Sequence, residues 1–382
     1  MIKRKLVNWS DSMNLSAEQF VQTENYFLSA IAENAGHYLT LNNYGLLPSK
    51  NKNKLYNGIR VNEHVTGYIE VQLYNCRAIT SSGYIIDFDS EEVGLPLIKQ
   101  YTPSEDKSIG KRDIRHWDVI LSVDPFNRLP TGEPDPEEVP PRHPDCESSY
   151  ALYIMPVGDI NTMEFGKHHL IIGRLLKDGD SYFVDTDYIP PATCMSAHPE
   201  LLDYYNAFCS HFISIEKSSK IIIGKINTHP NRSDLPANIQ AMCKDVLQYI
   251  AQIYFDLRNT ALSASPTLTV SCISGLAHTC FISLLLLDNK QKEEMLKYFY
   301  EWTDIAPGAF EDLIASTLEI IYVHNDLRSI MKHCKQFLSK FTELWERMSR
   351  LEYIGQRKES IVVSESKEKD ITTTTRRWIV TE

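Results

Sequence analysis

Between Leu327 and Leu351, apolar residues recur at alternating steps of three and four: Leu327, Ile330, Cys334, Phe337, Phe341, Leu344, Met348, Leu351. Only a helix places such a set on one side of the chain. With Leu327 as a heptad a position, Met331, Leu338 and Trp345 fall at e. The stripe therefore occupies a, d and e, which is wider than the seam of a two-stranded zipper and suits a helix with several neighbours. An oligomer and a monomeric globule can both use such a helix. We expect Leu327, Ile330, Phe337, Phe341, Leu344 and Met348 to form the core of a helical bundle and of an oligomer.

The segments before this helix divide by texture. Ser16 and Gln19 have capping-box spacing, and Phe20, Phe27 and Ile31 mark one face of a helix that follows. Ahead of it Trp9, Met13 and Leu15 sit on a segment without periodicity. They suit packing on the chain's own sheet and anchoring of a partner equally well. From Leu39 to Pro191 short alternating runs such as Ile69, Val71 and Leu73 are punctuated by turns such as Ser81-Ser82-Gly83. Many short strands of this kind predict a β-sandwich-like domain. Seven prolines between Asp124 and Asp145 predict an exposed, semi-rigid loop that either grips a partner or merely spans two strands.

At Ile189-Pro190-Pro191 the period changes from two to 3.6. Four helices are expected beyond it: one from Ser196, one through Ile239 to Leu257, one from Ser265-Pro266 towards Trp302 with a break near Asp288-Asn289, and the last from Leu327. Pro307-Gly308 separates the last two. The polar remainder after Glu352 carries two weakly β segments, 360–363 and 371–380, with Trp378 and Ile379 as expected contacts. The fold class is thus multidomain α and β: a β-sandwich-like part over 1–190, a four-helix bundle over 191–352 and a short β tail over 353–382.

Chemistry is scarce. The formal net charge of −11 argues against nucleic-acid binding as the main role. There is no Gly-rich phosphate loop, GxSxG or HExxH, so neither a catalytic site, a cofactor nor a small-molecule substrate is expected. His143-Pro-Asp-Cys146 and His168-His169 are the best metal-like fragments, and both lack the spacing of a site. Asp87 with Asp89, and Asp185 with Asp187, read as strand-end and turn carboxylates. Eight cysteines without a CxxC pair are expected to be reduced core thiols, which favours a cytoplasmic setting. Ser265–Leu287 lacks Asp, Glu, Lys and Arg, but its apolar run Phe281–Leu287 is short for a membrane span and fits a buried bundle helix.

Two stretches carry a family resemblance. In the first, Trp9, Asp11, Met13, Leu15, Phe20, Gln22 and Tyr26 resemble the opening of the TssK family of type VI secretion baseplate subunits. Ser12, Ala17 and Gln19 replace that family's usual Gly, Pro and His. In the second, Asp185-Thr-Asp187-Tyr-Ile-Pro190-Pro191 and Ser196-Ala-His-Pro-Glu-Leu201-Leu202 resemble its junction into the helical neck, and Asn43-Tyr-Gly45 also fits.

The resemblance implies a trimeric structural adaptor with a β-rich shoulder, a helical neck and a C-terminal head. The shoulder would dock on the TssF–TssG wedge, and the head on an envelope-anchoring complex at the cytoplasmic face of the inner membrane. On this footing Trp9, Met13, Leu15 and Phe20 are the expected wedge contacts. Only Tyr353–Glu382 stands where family heads have a domain, so anchoring is expected to use another subunit or surface. A phage-tail-like receptor-binding or adhesin protein is the alternative on the same architecture.

Overall fold

The computed structural model describes residues 4–49, 58–64, 67–102, 115–158, 168–179, 181–229, 233–303 and 306–356. The tail segments 360–363 and 371–380, with Trp378 and Ile379, lie outside the described residues. The chain is mixed α and β, with strands concentrated before Pro190 and helices after it.

After helix α1 (Ala17–Tyr38), the described residues hold ten strands in three antiparallel sheets. One is ordered β1 (Gly45–Leu46), β4 (Asn75–Ile79), β5 (Ile85–Asp89). A second is β2 (Ile59–Glu63), β3 (Ile69–Leu73), β6 (Leu97–Tyr101). The third is β10 (Ser181–Val184), β9 (His169–Asp178), β7 (His116–Thr131), β8 (Asp145–Pro156). A one-turn helix α2 (Ser90–Val93) follows β5. The sheets share a core because alternate residues point one way: Ile69, Val71 and Leu73 are buried while Glu70 and Gln72 are only half-buried. Trp117 on β7 donates its Nε1–H to the Tyr101 hydroxyl on β6 at 3.1 Å, joining two sheets.

The proline-rich stretch departs from expectation at its ends. β7 runs through Pro125 and Pro130, with a bulge between Asp124 and Arg128, and Pro130 pairs with Cys146. The reason is local. Among the described residues β9 accompanies β7 only as far as Ser122, so Pro125 and Pro130 lie beyond that ladder and remove no N–H from it. The result is a two-stranded ribbon, 128–131 against 145–148, projecting past the sheet.

Among the described residues the helical part has six α-helices rather than four. They are α3 (Pro199–Thr228), α4 (Asp234–Phe255), α5 (Pro266–Leu285), α6 (Asn289–Thr303), α7 (Pro307–Leu318) and α8 (Leu327–Arg350). The third helix breaks near Asp288-Asn289 as expected: α5 stops at Leu285 and Asn289 starts α6. Pro307, expected to separate helices, instead opens one at N1, where its missing N–H is no loss. The long helices neighbour one another in a ring: α3 with α4 and α8, α5 with α4 and α8.

The stripe of α8 lies inside this ring. Leu327, Phe337, Phe341, Leu344 and Met348 are fully buried and Ile330 is 6% exposed, all within one chain. Phe337 stacks on Phe341 at 5.7 Å, and Phe341 meets Trp345 at 4.1 Å. Trp345 donates Nε1–H to the buried Ser219 hydroxyl at 2.8 Å. Lys225 caps the last turn of α8 by donating to the carbonyls of Ser349 and Leu351 at 2.8 and 2.6 Å. The chain's own helices thus use the width of the stripe, so that width is no argument for an oligomer.

Candidate docking surface

The N-terminal segment and α1 lie along the outside of the β-rich part. Residues 10–13 make a turn closed by Met13 N–H to Ser10 O at 3.3 Å. Ser12 sits in it at φ 63, a left-handed conformation that glycine adopts without strain. This gives a physical reason for the glycine that the TssK resemblance places there. The Gln19 side chain accepts from Ser16 N–H at 2.6 Å, as the capping-box spacing predicts.

Only Ala32 of α1 is buried. It seats the C-terminal half of the helix on the β4–β5 turn, where a Cβ on Gly83 would lie 2.2 Å from the Ala32 carbonyl oxygen. Most of the large apolar residues of the segment are exposed. Trp9 is 48% exposed and lies against Phe20 with ring centroids 5.9 Å apart. Phe20 and Leu15 are exposed and Met13 is half-buried. None of the four belongs to the chain's buried core, and Trp9 and Phe20 meet each other.

Sequence reasoning missed how far this surface extends. Phe27, Leu28 and Ile31 continue it and line a groove of about 370 Å³ with Pro125 and Arg128 of the ribbon. Arg128 bonds to Glu24 and donates to Asn25 Oδ1 at 3.0 Å, clamping ribbon to helix. Arg4 lies over the Phe126 ring at 3.5 Å and ties down the chain start. The available signal was the Phe20, Phe27, Ile31 face, which marks an apolar side without saying what covers it.

A second cluster joins the β-rich and helical parts. Leu46 N–H donates to Pro191 O at 2.7 Å, and Thr193 N–H to Leu46 O at 2.9 Å. A Cβ on Gly45, whose φ is 112, would lie 2.1 Å from Pro191 O. Two motifs far apart in sequence, Asn43-Tyr-Gly45 and Ile189-Pro-Pro191, are therefore one contact. His324 donates to Tyr44 O at 2.7 Å, and the Tyr44 hydroxyl to Asn325 at 3.1 Å. Beside them Arg328 pairs with Asp187 and Glu200, and Lys332 with Asp187 at 2.9 Å. Lys332 and Arg328 hold the Asp187 carboxyl below its ordinary range. Asp185 accepts from Asp187 N–H at 2.9 Å, the turn role expected of it. His198 caps α3, its Nδ1 accepting from Glu200 N–H at 3.3 Å, and burial pushes its pKa down to about 4.

No protein-family model matches the chain, and no curated protein matches it. Solved structures do. A crystal structure of TssK aligns over 88% of this chain and 68% of its own length, with a TM-score of 0.51 at 14% identity. The fold is that of TssK. A TssK–TssF–TssG type VI secretion baseplate subcomplex contains a chain that aligns over 90% of this one and 99% of its own length, with a TM-score of 0.50 at 13% identity. At that identity little but architecture is shared. The TssK-like motifs at Gly45, Pro191 and His198 lie where the chain passes from sheets to helices.

The other candidate fragments are accounted for locally. His143 bonds to Gly132 O at 2.8 Å beside the exposed Cys146. His168 packs edge-on against Tyr84 at 4.6 Å. Among the described residues no group of three His, Cys, Asp or Glu could hold a metal ion. Burial raises Cys76, Cys243 and Cys334 to about 12, so these thiols are protonated and inert.

Proposed function

We propose that the protein is a structural baseplate subunit of a type VI secretion system and runs no reaction. The likeness to TssK across 88% of the chain carries this reading. It works as a homotrimer in the cytoplasm at the inner face of the inner membrane. We divide it into a β-sandwich-like shoulder over 1–190, a neck over 191–352 and a tail over 353–382. The neck is a four-helix bundle of α3, α4, α5 and α8, with α6 and α7 added to it.

The shoulder docks on a TssF–TssG wedge through the N-terminal surface. Trp9, Met13, Leu15 and Phe20 are the anchors, supported by the contact of Trp9 with Phe20 and by the exposure of Trp9, Leu15 and Phe20. Aromatic anchors of this kind carry about 2 kcal/mol or more each when a partner buries them. An envelope-anchoring complex is a further partner, and its contact surface is separate from this one. Co-expression with TssF and TssG, followed by affinity purification, tests the reading. The wild type should bring down both. Trp9→Ala and Phe20→Ala should fold normally and lose them. Undiminished capture by both variants would place the anchor elsewhere.

A further inference from the structure

Where α5 turns into α6, an apolar corner stands bare. We propose that this corner, made by Ile282, Leu285 and Leu286, is a docking site for a segment of the same chain, Trp378-Ile379-Val380. The inference goes beyond the function proposed above and does not rest on it.

Register creates the corner. In the run Phe281–Leu287 every residue but Ser283 is apolar. Leu284 is buried, and Ser283 donates to Asp245 of α4 at 2.9 Å, so these two fix the inward side of the last turn. Ile282, Leu285 and Leu286, at spacings of three and four, then share the outer side. They are 38%, 63% and 79% exposed. Leu286 N–H donates to Ile282 O at 3.0 Å, which closes the helix, and Leu287 turns back against the core. Polar residues, Gly or Pro ordinarily stand at such a turn, and here two adjacent leucines do.

The described chain leads to this corner. After α8, residues 351–356 fold back onto the first turn of α4 and onto α6. Ile354 is buried, Gly355 N–H donates to the Tyr298 hydroxyl at 3.0 Å, and a Cβ on Gly355 would lie 2.5 Å from Pro236 Cγ. The corner is held from the same turn of α4, because Gln291 at the start of α6 donates to Asp234 Oδ2 at 3.4 Å. Gln356 therefore delivers residues 357–382 to the end of the helical part where the corner lies. Residues 357–377 span about 70 Å when extended, which covers any path across that end. Tethering holds the segment near its own corner at an effective concentration of about a millimolar, and any free partner must compete with that.

Composition selects the segment. Beyond Gln356 there are two apolar runs, Ile361-Val362-Val363 and Trp378-Ile379-Val380. The second carries the tryptophan, the side chain that most often anchors a small apolar contact. Arg376 and Arg377 precede it. Asp234 and Asp288 flank the corner, both exposed, and their carboxylates accept from Gln291 alone among the described residues. Two arginines opposite two exposed carboxylates orient the segment more than they strengthen it. A bilayer is a poorer occupant, since Asp288 and Lys290 follow the corner directly and would be carried into it.

The test places the photo-crosslinking residue p-benzoyl-phenylalanine at position 378 of the full chain. Light and isotopically heavy protein are mixed and irradiated, and linked peptides are read by mass spectrometry. We expect links from position 378 to residues 281–290, joining peptides of one isotope only. The double variant Leu285→Glu with Leu286→Glu should lose them, and Ile213→Glu, whose residue is 66% exposed on α3, should keep them. Circular dichroism checks folding. Should the double variant fail to fold, amide hydrogen exchange of the full chain against residues 1–356 decides alone. Deletion should speed exchange of amides 283–288 about tenfold, as an occupancy of about nine-tenths requires, with the protomer count in solution unchanged by light scattering. Links between light and heavy peptides would assign the corner to a second copy. Protection of the corner that appears only with phosphatidylcholine vesicles would assign it to a membrane. Links elsewhere, equal exchange in both chains, or a changed protomer count on deletion would show that the segment does not dock there; each of these overturns the inference.

Discussion

Replacing Gly45 with alanine should damage this protein far more than the same change at Gly94. Both glycines have positive φ, 112 and 86, so both variants carry backbone strain of about 1–3 kcal/mol. Gly94 has no atom within 4 Å of an added Cβ, so strain is its whole cost. At Gly45 the Cβ would sit 2.1 Å from Pro191 O and 2.3 Å from its carbonyl carbon. Relief requires moving the strand from the linker by about 1.3 Å or more, to ordinary van der Waals separation. That breaks Leu46 N–H to Pro191 O and Thr193 N–H to Leu46 O. Each buried backbone group left unpaired costs about 1–3 kcal/mol, so Gly45→Ala should exceed Gly94→Ala by about 3 kcal/mol or more. At an m-value of about 3 kcal/mol/M, the urea midpoints should differ by about 1 M or more. Midpoints agreeing within about 0.3 M would refute the contact between the Gly45 and Pro191 motifs.

Other perturbations follow from the same coordinates. Phe341→Ala empties a fully buried site between Phe337 and Trp345 and should lower the chain's own stability by about 3–5 kcal/mol, read by urea denaturation at concentrations where subunits are apart. His198 is held near pH 4 by burial against an ordinary 6.5, so between those values the unfolded chain takes a proton that the folded chain refuses. Its contribution is complete above pH 6.5 and falls away towards pH 4. His198→Asn keeps a capping acceptor and should flatten that acid limb by about 2–3 kcal/mol. In the native protein a thiol reagent should modify Cys146 quickly and the buried cysteines only after urea is added; fast labelling of Cys243 or Cys334 would contradict their burial.

What was legible in the sequence was what local spacing controls. The steps of three and four from Leu327 placed the last helix to its first residue, and the box at Ser16–Gln19 placed the start of α1. Pairings between distant segments were harder. Nothing local says that Asn43-Tyr-Gly45 touches Pro191, although the glycine is the only residue type that the contact admits. The prolines at 125 and 130 read as loop because a ladder seemed closed to them. Whether β7 had one neighbour or two there depended on where β9 ended. The α8 stripe was wide enough for an oligomer or for a six-helix packing, and only the extra helices α6 and α7 could decide between them. Conversely, the missing charges of α5 were visible and read as burial, whereas only ten of its twenty residues are buried.

The most direct test of a baseplate subunit docking through its N-terminal surface is amide hydrogen exchange on the chain alone and bound to TssF and TssG. The bound form should gain protection across residues 7–38 and along the ribbon 128–131 and 145–148, with α3 and α8 unchanged. Stable binding that leaves those segments exchanging as before, or protection confined to the helical part, would contradict it.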